Sequence, residues 1–179
     1  MTSYVALLYS IGIGGDRRLL MSDWRSMMES VGLRNPRTLI ATGNAVFQSR
    51  RATIGELENR LESAFEQSFG RRVDTIVRTG ASWRRLVAGN PFPQESSRDG
   101  SRVVVRLMRV PLDERISGSL ESYATQGERL MVMNGDLWIH FTQEPNRSRL
   151  LGVVTSKRLG VGTIRNWNTV RRLNEMLAG

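Results

Sequence analysis

The segment TIRNWNTVRRL, residues 163–173, places hydrogen-bond donors beside a stacking surface. Arg165 and Asn166 directly precede Trp167, and Thr163 lies two residues before the arginine. Guanidinium and amide groups bind phosphate, and an indole ring stacks on a nucleobase. A helix is expected to begin near Trp167, where free N–H groups and the helix dipole also favour an anion. We therefore predict these four residues as ligand contacts.

The same segment has a structural interpretation of equal weight. Asn166 or Asn168 would cap the helix, Trp167 would dock into the core between two halves of the chain, and Arg165 would pair with a carboxylate. Both interpretations stay open, because a tryptophan between two asparagines exceeds what a cap requires.

A glycine-rich stretch near the start of the chain is the second candidate. Gly12, Gly14 and Gly15 follow an apolar run and precede a predicted helix. The dinucleotide fingerprint is incomplete because Arg17 stands where its third glycine belongs, and the P-loop lysine is also absent. Two interpretations remain, a strand-to-helix turn and a nest of backbone N–H groups for an anion.

The tripeptide TGN, residues 42–44, is predicted to lie beside that glycine loop. In a βαβ unit the first two strands run parallel, so both end at one edge of the sheet. Each loop follows one of these strands. The sequence therefore predicts Gly14, Gly15, Gly43 and Asn44 as ligand contacts on a shared rim.

Several classes of active site are excluded by composition. The chain has no cysteine and a single histidine, His140, which removes thiolate chemistry and makes histidine-based metal or serine–histidine sites improbable. Acidic residues such as Glu128, Asp136 and Glu144 show no metal-ligand or paired-carboxylate spacing. We expect no metal and no cofactor, and we interpret His140 as a packing residue of a strand.

The formal charge is +9, from 26 basic and 17 acidic residues, and Lys157 is the only lysine. Arginine forks match phosphate geometry, so a nucleic acid or another polyanion is a possible partner. A solvated basic surface is the favoured interpretation, because arginines are dispersed in pairs such as Arg84–Arg85 without a long basic tract. The charge alone therefore leaves both interpretations open.

The sequence favours the cytoplasm and no membrane partner. It contains no run of about 18 apolar residues. Its first residues, MTSYVALLYS, lack the basic region and cleavage pattern of a signal peptide. The oligomeric state, monomer or homodimer, is left open.

Hydrophobic spacing predicts strand, helix, hairpin, helix, strand in the first half of the chain. The capping box Thr53 to Glu56 starts the best-marked helix, which Gly70 ends. A further short helix is predicted over residues 81–87. In chain order the elements of the first half are predicted at residues 4–8, 23–31, 38–41, 45–48, 54–69 and 73–77.

The same order recurs in the second half. Asn134–Gly135 is the strongest hairpin signal in the chain, and a helix is expected to start at Pro111 or Leu112. Arg106 interrupts an apolar strand and is predicted to face solvent or a charged partner. The other elements of this half are predicted at residues 103–108, 148–159, 161–164 and 167–177.

These patterns predict an α+β protein with two ferredoxin-like (βαββαβ) halves, antiparallel or mixed sheets, and a C-terminal helix. The first half is predicted at residues 1–89 and the second at 102–179. The turn-rich segment 90–101, with two prolines, is predicted to link them.

The stretches YVALLYSIGIGG, TGNAVF, NPFP, NRSRLL and GTIRNWNTVRRL together resemble the bacterial domain-of-unknown-function family number 1697. The resemblance implies a stand-alone cytoplasmic α+β protein with ferredoxin-like halves and no established activity. The family typically has L-L-R-G-I-N-V-G-G in the first loop, whereas Tyr9 and Gly12 replace the arginine and asparagine here. A site built from those two polar residues would be altered in this chain.

Two functions are consistent with the sequence. The first is a non-catalytic binding module for a polyanion or phosphate-containing ligand, with nucleic acid as one candidate and Trp167, Trp138 or Tyr9 as stacking surfaces. The alternative is an enzyme acting on a small anionic or phosphorylated metabolite in a cleft between the halves, with Arg165 as a clamp. No catalytic set is recognisable, so whether the protein is an enzyme stays undecided, and we favour the binding module.

Overall fold

The computed structural model describes residues 1–9 and 19–179, which form two four-stranded sheets with helices between the strands. The strands are Thr2–Leu8 (β1), Arg34–Leu39 (β2), Asn44–Ser49 (β3), Thr75–Thr79 (β4), Val103–Met108 (β5), Arg129–Met133 (β6), Asp136–His140 (β7) and Gly162–Asn166 (β8). The helices are Met21–Ser30 (α1), Ile54–Phe69 (α2), Gly80–Ala88 (α3), Pro93–Arg98 (α4), Ile116–Leu120 (α5), Arg149–Val153 (α6), Ser156–Leu159 (α7) and Trp167–Ala178 (α8).

The first sheet has the strand order β2-β3-β1-β4, and all neighbouring strands are antiparallel. Because β1 and β2 both pair with β3, they run parallel to each other. In the register, Leu7 lies opposite Asn44 and Thr2 lies opposite Ser49. The sheet therefore has one end where β1 finishes beside the TGN turn, and another where β1 begins.

One face of this sheet packs against α1 and α2. Tyr4 and Phe47 stack with ring centroids 5.4 Å apart, and Trp24 and Phe65 from the helices complete the cluster. These rings are almost fully buried. Burial of large aromatic side chains supplies much of the stabilisation of such a core.

The outer edge of β4 is closed by carboxylates from α2. The backbone N–H of Val77 donates to Glu58 Oε1 at 3.0 Å, and that of Thr75 donates to Glu62 Oε1 at 3.0 Å. Glu58 and Glu62, one helical turn apart on α2, thus bond N–H groups that are two residues apart on β4. Since both glutamates are buried, they satisfy edge N–H groups that water does not reach.

The second sheet repeats the first, with the order β6-β7-β5-β8 and antiparallel neighbours. Val104 and Ile139 lie opposite each other on one face, which packs against Leu120 and Leu150 of the connecting helices. Two ferredoxin-like halves and a C-terminal helix, as predicted, are confirmed.

Arg106 departs from its predicted exposure. It is buried on β5, and its guanidinium donates to Ser156 Oγ at 3.1 Å and to the Gly160 carbonyl at 3.0 Å. Of the two alternatives predicted for Arg106, exposure to solvent is wrong, because oxygen atoms around α7 accept hydrogen bonds from its Nη2 inside the fold; a charged partner stays a prediction.

Two helices also differ from their predicted bounds. The helix expected at Pro111 or Leu112 begins at Ile116, and the Leu112 N–H donates to the carbonyl of the hairpin residue Gly135 at 2.9 Å. The helix expected over 148–159 is split into α6 and α7.

Contacts divide the chain into two compact units. The first comprises Met1–Arg85 and Arg172–Gly179, and the second comprises Leu86–Arg171. Within the segment 90–101, predicted as a linker, residues Pro93–Arg98 form α4. In the described part of the chain, no helix has the length and apolar character needed to cross a membrane.

Candidate anion-binding site

The TGN turn lies at the end of β1, as predicted for the shared rim. The Leu8 N–H donates to the Gly43 carbonyl at 2.8 Å. Asn44 is fully buried, and its amide nitrogen donates to the Leu39 carbonyl at 3.1 Å and to Thr42 Oγ1 at 2.8 Å. These contacts give Asn44 a structural role in closing the hairpin.

Gly43 is fixed by its surroundings. Its φ is +77°, and a Cβ atom at this position would lie 2.7 Å from Leu8 Cβ. A side chain therefore meets both strain and a close contact. The other two predicted contacts on this rim, Gly14 and Gly15, lie outside the described residues, so their place in a site stays a prediction.

The segment at the junction of β8 and α8 carries the other predicted contacts. Asn166 Oδ1 accepts the N–H of Thr169 at 3.0 Å, which is the pattern of a helix cap. The backbone N–H of Trp167 donates to the Gly100 carbonyl at 3.2 Å. The indole ring of Trp167 has its centroid 6.2 Å from that of Trp138. The capping role considered for Asn166 is thus present, and Trp167 packs against Trp138 of the same unit; docking of Trp167 between the two halves stays a prediction.

Arg165 is held within the second unit. Its Nη1 donates to Thr163 Oγ1 at 2.7 Å and to the Ile164 carbonyl at 2.9 Å. Arg165 and Trp138 both lie opposite Val105 in the sheet, so they share one face. Burial lowers the pKa of Arg165 to about 10, and the guanidinium still carries its charge at neutral pH.

His140 lies among aromatic and charged side chains of the second unit. Its ring centroid is 6.0 Å from that of Phe92, and the Arg129 guanidinium carbon lies 5.0 Å from the Phe92 ring centre. Arg129 also forms an ion pair with Glu95 of α4. Burial, reinforced by the charge of Arg129, lowers the pKa of His140. The ring is accordingly neutral at pH 7, as suits a packing residue.

A cationic cleft that the sequence analysis missed lies in the first unit. It has a volume of about 350 Å³ and is lined by Arg34, Arg50, Arg51 and Arg60, together with Met1 and small residues. We call it the arginine cleft. It lies at the end of the sheet where β1 begins, opposite to the end that carries the TGN turn.

Three elements bring these arginines together. Arg34 is the first residue of β2 and lies opposite Gln48 near the end of β3. Arg50 and Arg51 follow β3 directly. Arg60 lies on α2, which begins after the capping box at Thr53. Antiparallel pairing of β2 with β3 thus brings Arg34 to Arg50 and Arg51, and α2 adds Arg60.

The four arginines of the cleft are all exposed. Of the described residues that line the cleft, none is acidic. Among residues 1–9 and 19–179, no side chain forms a hydrogen bond or ion pair with these four arginines. The pKa of Glu56 is lowered mainly by its hydrogen bonds to Thr53 and to a smaller extent by the charge of Arg60. Their donors are therefore available to an anion.

A local signal for this cleft was present in the sequence. The pair Arg50–Arg51 stands between a predicted strand and the capping box at Thr53, and an exposed arginine, Arg34, precedes the partner strand. Pairing the two predicted strands as a hairpin places these cations at one end. Among the described residues, no group of three or more acidic or histidine side chains is placed to hold a metal ion.

A family model described as "Protein of unknown function (DUF1697)" matches residues 1–138. The chain belongs to this family. The resemblance predicted from the sequence is confirmed for that range, which includes the arginine cleft and the TGN turn. The segment 163–169, although part of the resemblance, lies beyond the matched residues.

The fold recurs in a solved structure. A conserved bacterial protein from Streptococcus pneumoniae matches with a TM-score of 0.77 and 24% identity, over 100% of this chain and 99% of that one. At this identity the similarity concerns the fold alone. No curated protein matches the chain.

Proposed function

We propose that this DUF1697 family member is a non-catalytic binding protein for a polyanionic or phosphate-containing ligand. The observation that carries the proposal is the arginine cleft, where Arg34, Arg50, Arg51 and Arg60 converge and no acidic residue of the described part of the chain joins the lining. Four guanidinium groups in one cleft repel one another, and a bound anion relieves that repulsion. Arginine donates in pairs to phosphate oxygens, which makes phosphate the natural class of anion.

The arginine cleft favours the polyanion interpretation of the overall charge over that of a solvated basic surface. A net charge of +9 attracts polyanions only weakly when the cations are spread over a surface. Four cations around one cleft create a local positive potential and a defined place to bind. Binding at this cleft is therefore the more specific form of the polyanion hypothesis, with nucleic acid as one member of the class.

The predicted contacts in the second unit support the proposal less strongly. Thr163, Arg165 and Asn166 each use a polar side-chain atom in a hydrogen bond within the fold. Trp167 packs against Trp138. A ligand role for these residues stays a prediction, as does the cytoplasmic location.

Binding to a panel of polyanions tests the proposal. The full chain is titrated with tripolyphosphate, labelled single-stranded RNA and labelled duplex DNA, and compared with Arg50→Gln/Arg51→Gln. The matched control is Arg84→Gln/Arg85→Gln, which removes the same charge from an exposed arginine pair of the same unit outside the cleft.

We expect at least one polyanion to bind, with about tenfold or greater weakening in the cleft variant and less than about twofold in the control. A single strand held through four phosphates would lose roughly 50-fold in affinity between about 50 and 200 mM salt. Absence of binding by all three probes at low salt, or equal weakening in both variants, would refute the proposal.

A further inference from the structure

We infer that the ligand of the arginine cleft is a compact anion with at least two phosphate groups, recognised through those groups and not through a nucleobase. This inference rests on the proposed function and narrows it to one chemical class. It draws on the number of charges, the lining and the size of the cleft.

The charge sets a lower limit on the number of phosphate groups. Arg34, Arg50, Arg51 and Arg60 bring four positive charges to the cleft. One phosphate monoester carries about 1.5 to 2 negative charges at neutral pH. Two or more phosphate groups are thus required to neutralise the cleft, and a single orthophosphate leaves about half of the charge unbalanced.

The lining argues against recognition of a base. Proteins that hold single-stranded nucleic acid combine cations with aromatic side chains on which the bases stack. Among the described residues that line the cleft, none is aromatic. Tyr4 and Phe47 of the same sheet are buried in the core. Tyr9 is exposed but follows the end of β1, away from the cleft. The described lining therefore offers guanidinium donors for phosphate oxygens and no ring on which a base could stack.

The size of the cleft fits a small molecule. Its volume of about 350 Å³ lies at the lower end of the range of about 300–1,000 Å³ typical of ligand pockets. A long strand would contact cations along an extended groove. Arg34, Arg50, Arg51 and Arg60 instead surround one cleft, so a compact polyphosphate or a multiply phosphorylated metabolite matches their arrangement.

Two of the other described residues that line the cleft are small. Ser49, at the end of β3, lines the cleft beside Arg50 and is itself buried. Gly32 lines it from the turn before β2 and is exposed. Neither residue has a large side chain that would fill the cleft.

Calorimetric titration of the full chain at constant ionic strength tests the inference. The probes are inorganic phosphate, pyrophosphate, tripolyphosphate and a single-stranded oligonucleotide without a terminal phosphate. Each is measured with the wild type, Arg50→Gln/Arg51→Gln and the control Arg84→Gln/Arg85→Gln. Circular dichroism confirms that the exposed substitutions leave the fold intact.

We expect tripolyphosphate to bind with one-to-one stoichiometry and at least about tenfold more tightly than inorganic phosphate. The cleft variant should lose at least about tenfold, and the control less than about twofold. The oligonucleotide should bind more weakly than tripolyphosphate.

The other outcomes separate the two proposals. Equal affinity for phosphate and tripolyphosphate overturns the inference, and so does tighter, length-dependent binding of the oligonucleotide. In both cases an arginine-dependent anion site remains, and the proposed function stands. If no probe binds, the proposed function fails together with the inference.

Discussion

Substitution of Gly43 by alanine separates a structural role from a ligand role in the TGN turn. The sequence predicts this glycine as a ligand contact, whereas its surroundings give it a role in packing. The matched control is Gly70→Ala at the end of α2. Gly70 has a φ of +73°, close to the +77° of Gly43, but a Cβ atom at Gly70 would meet no atom within 4 Å.

The expected losses of stability follow from this comparison. Alanine in the left-handed region costs about 1–2 kcal/mol at either position. At Gly43 the new methyl group would also lie 2.7 Å from Leu8 Cβ. Leu8 cannot retreat easily, because it is buried and its N–H donates to the Gly43 carbonyl. Overpacking of this kind adds about 1–3 kcal/mol, so Gly43→Ala should cost about 2–5 kcal/mol.

Urea unfolding followed by circular dichroism measures both free energies of unfolding. We expect Gly43→Ala to be less stable than Gly70→Ala by about 1–3 kcal/mol, with similar m-values. Equal losses in the two variants would refute the contact with Leu8. A Gly43→Ala protein with wild-type stability but weakened tripolyphosphate binding would make the glycine a ligand contact and contradict the structural account.

Two further predictions concern buried polar groups. Glu58→Leu leaves the Val77 N–H without its carboxylate acceptor and should lower the free energy of unfolding by about 1–3 kcal/mol. Glu66→Leu, at an exposed position of the same helix, should change it by less than about 0.5 kcal/mol. Urea unfolding and hydrogen exchange at Val77 measure these effects, and equal losses in the two variants would argue against closure of the β4 edge by Glu58. Burial and Arg129 lower the pKa of His140, so the unfolded chain takes up the proton first and stability falls as pH drops below about 6.5. His140→Gln should reduce the stability difference between about pH 7.5 and about pH 5, and an unchanged difference would contradict the assignment.

Local signals in the sequence predicted much of the fold. The capping box is formed as expected, with the Glu56 N–H bonded to Thr53 Oγ1 at 3.2 Å and the Thr53 N–H bonded to Glu56 Oε2 at 2.8 Å. Asn134 and Gly135 both have positive φ, as the hairpin signal requires. These features depend on neighbouring residues, so the sequence suffices to predict them.

The errors concern the positions where helices begin and end. The Leu112 N–H bonds to the Gly135 carbonyl, and α5 begins only at Ile116. The helix expected over 148–159 breaks at Val154, after Gly152 and Val153, because glycine and β-branched residues weaken a helix. Neither the distant bond nor the exact break is readable from local periodicity.

The arginine cleft illustrates the same limit for function. Dispersal of arginines along the sequence favoured a solvated surface, and that inference assumed that distant residues stay distant in the fold. Antiparallel pairing of β2 with β3 brings Arg34 to the end of the strand that Arg50 and Arg51 follow, and α2 adds Arg60. The positions of arginines along the sequence therefore predict a cationic site only after the predicted strands are paired and each arginine is assigned to one end of the sheet. For Arg34, Arg50 and Arg51 that step needs only the TGN hairpin, which the sequence already predicts.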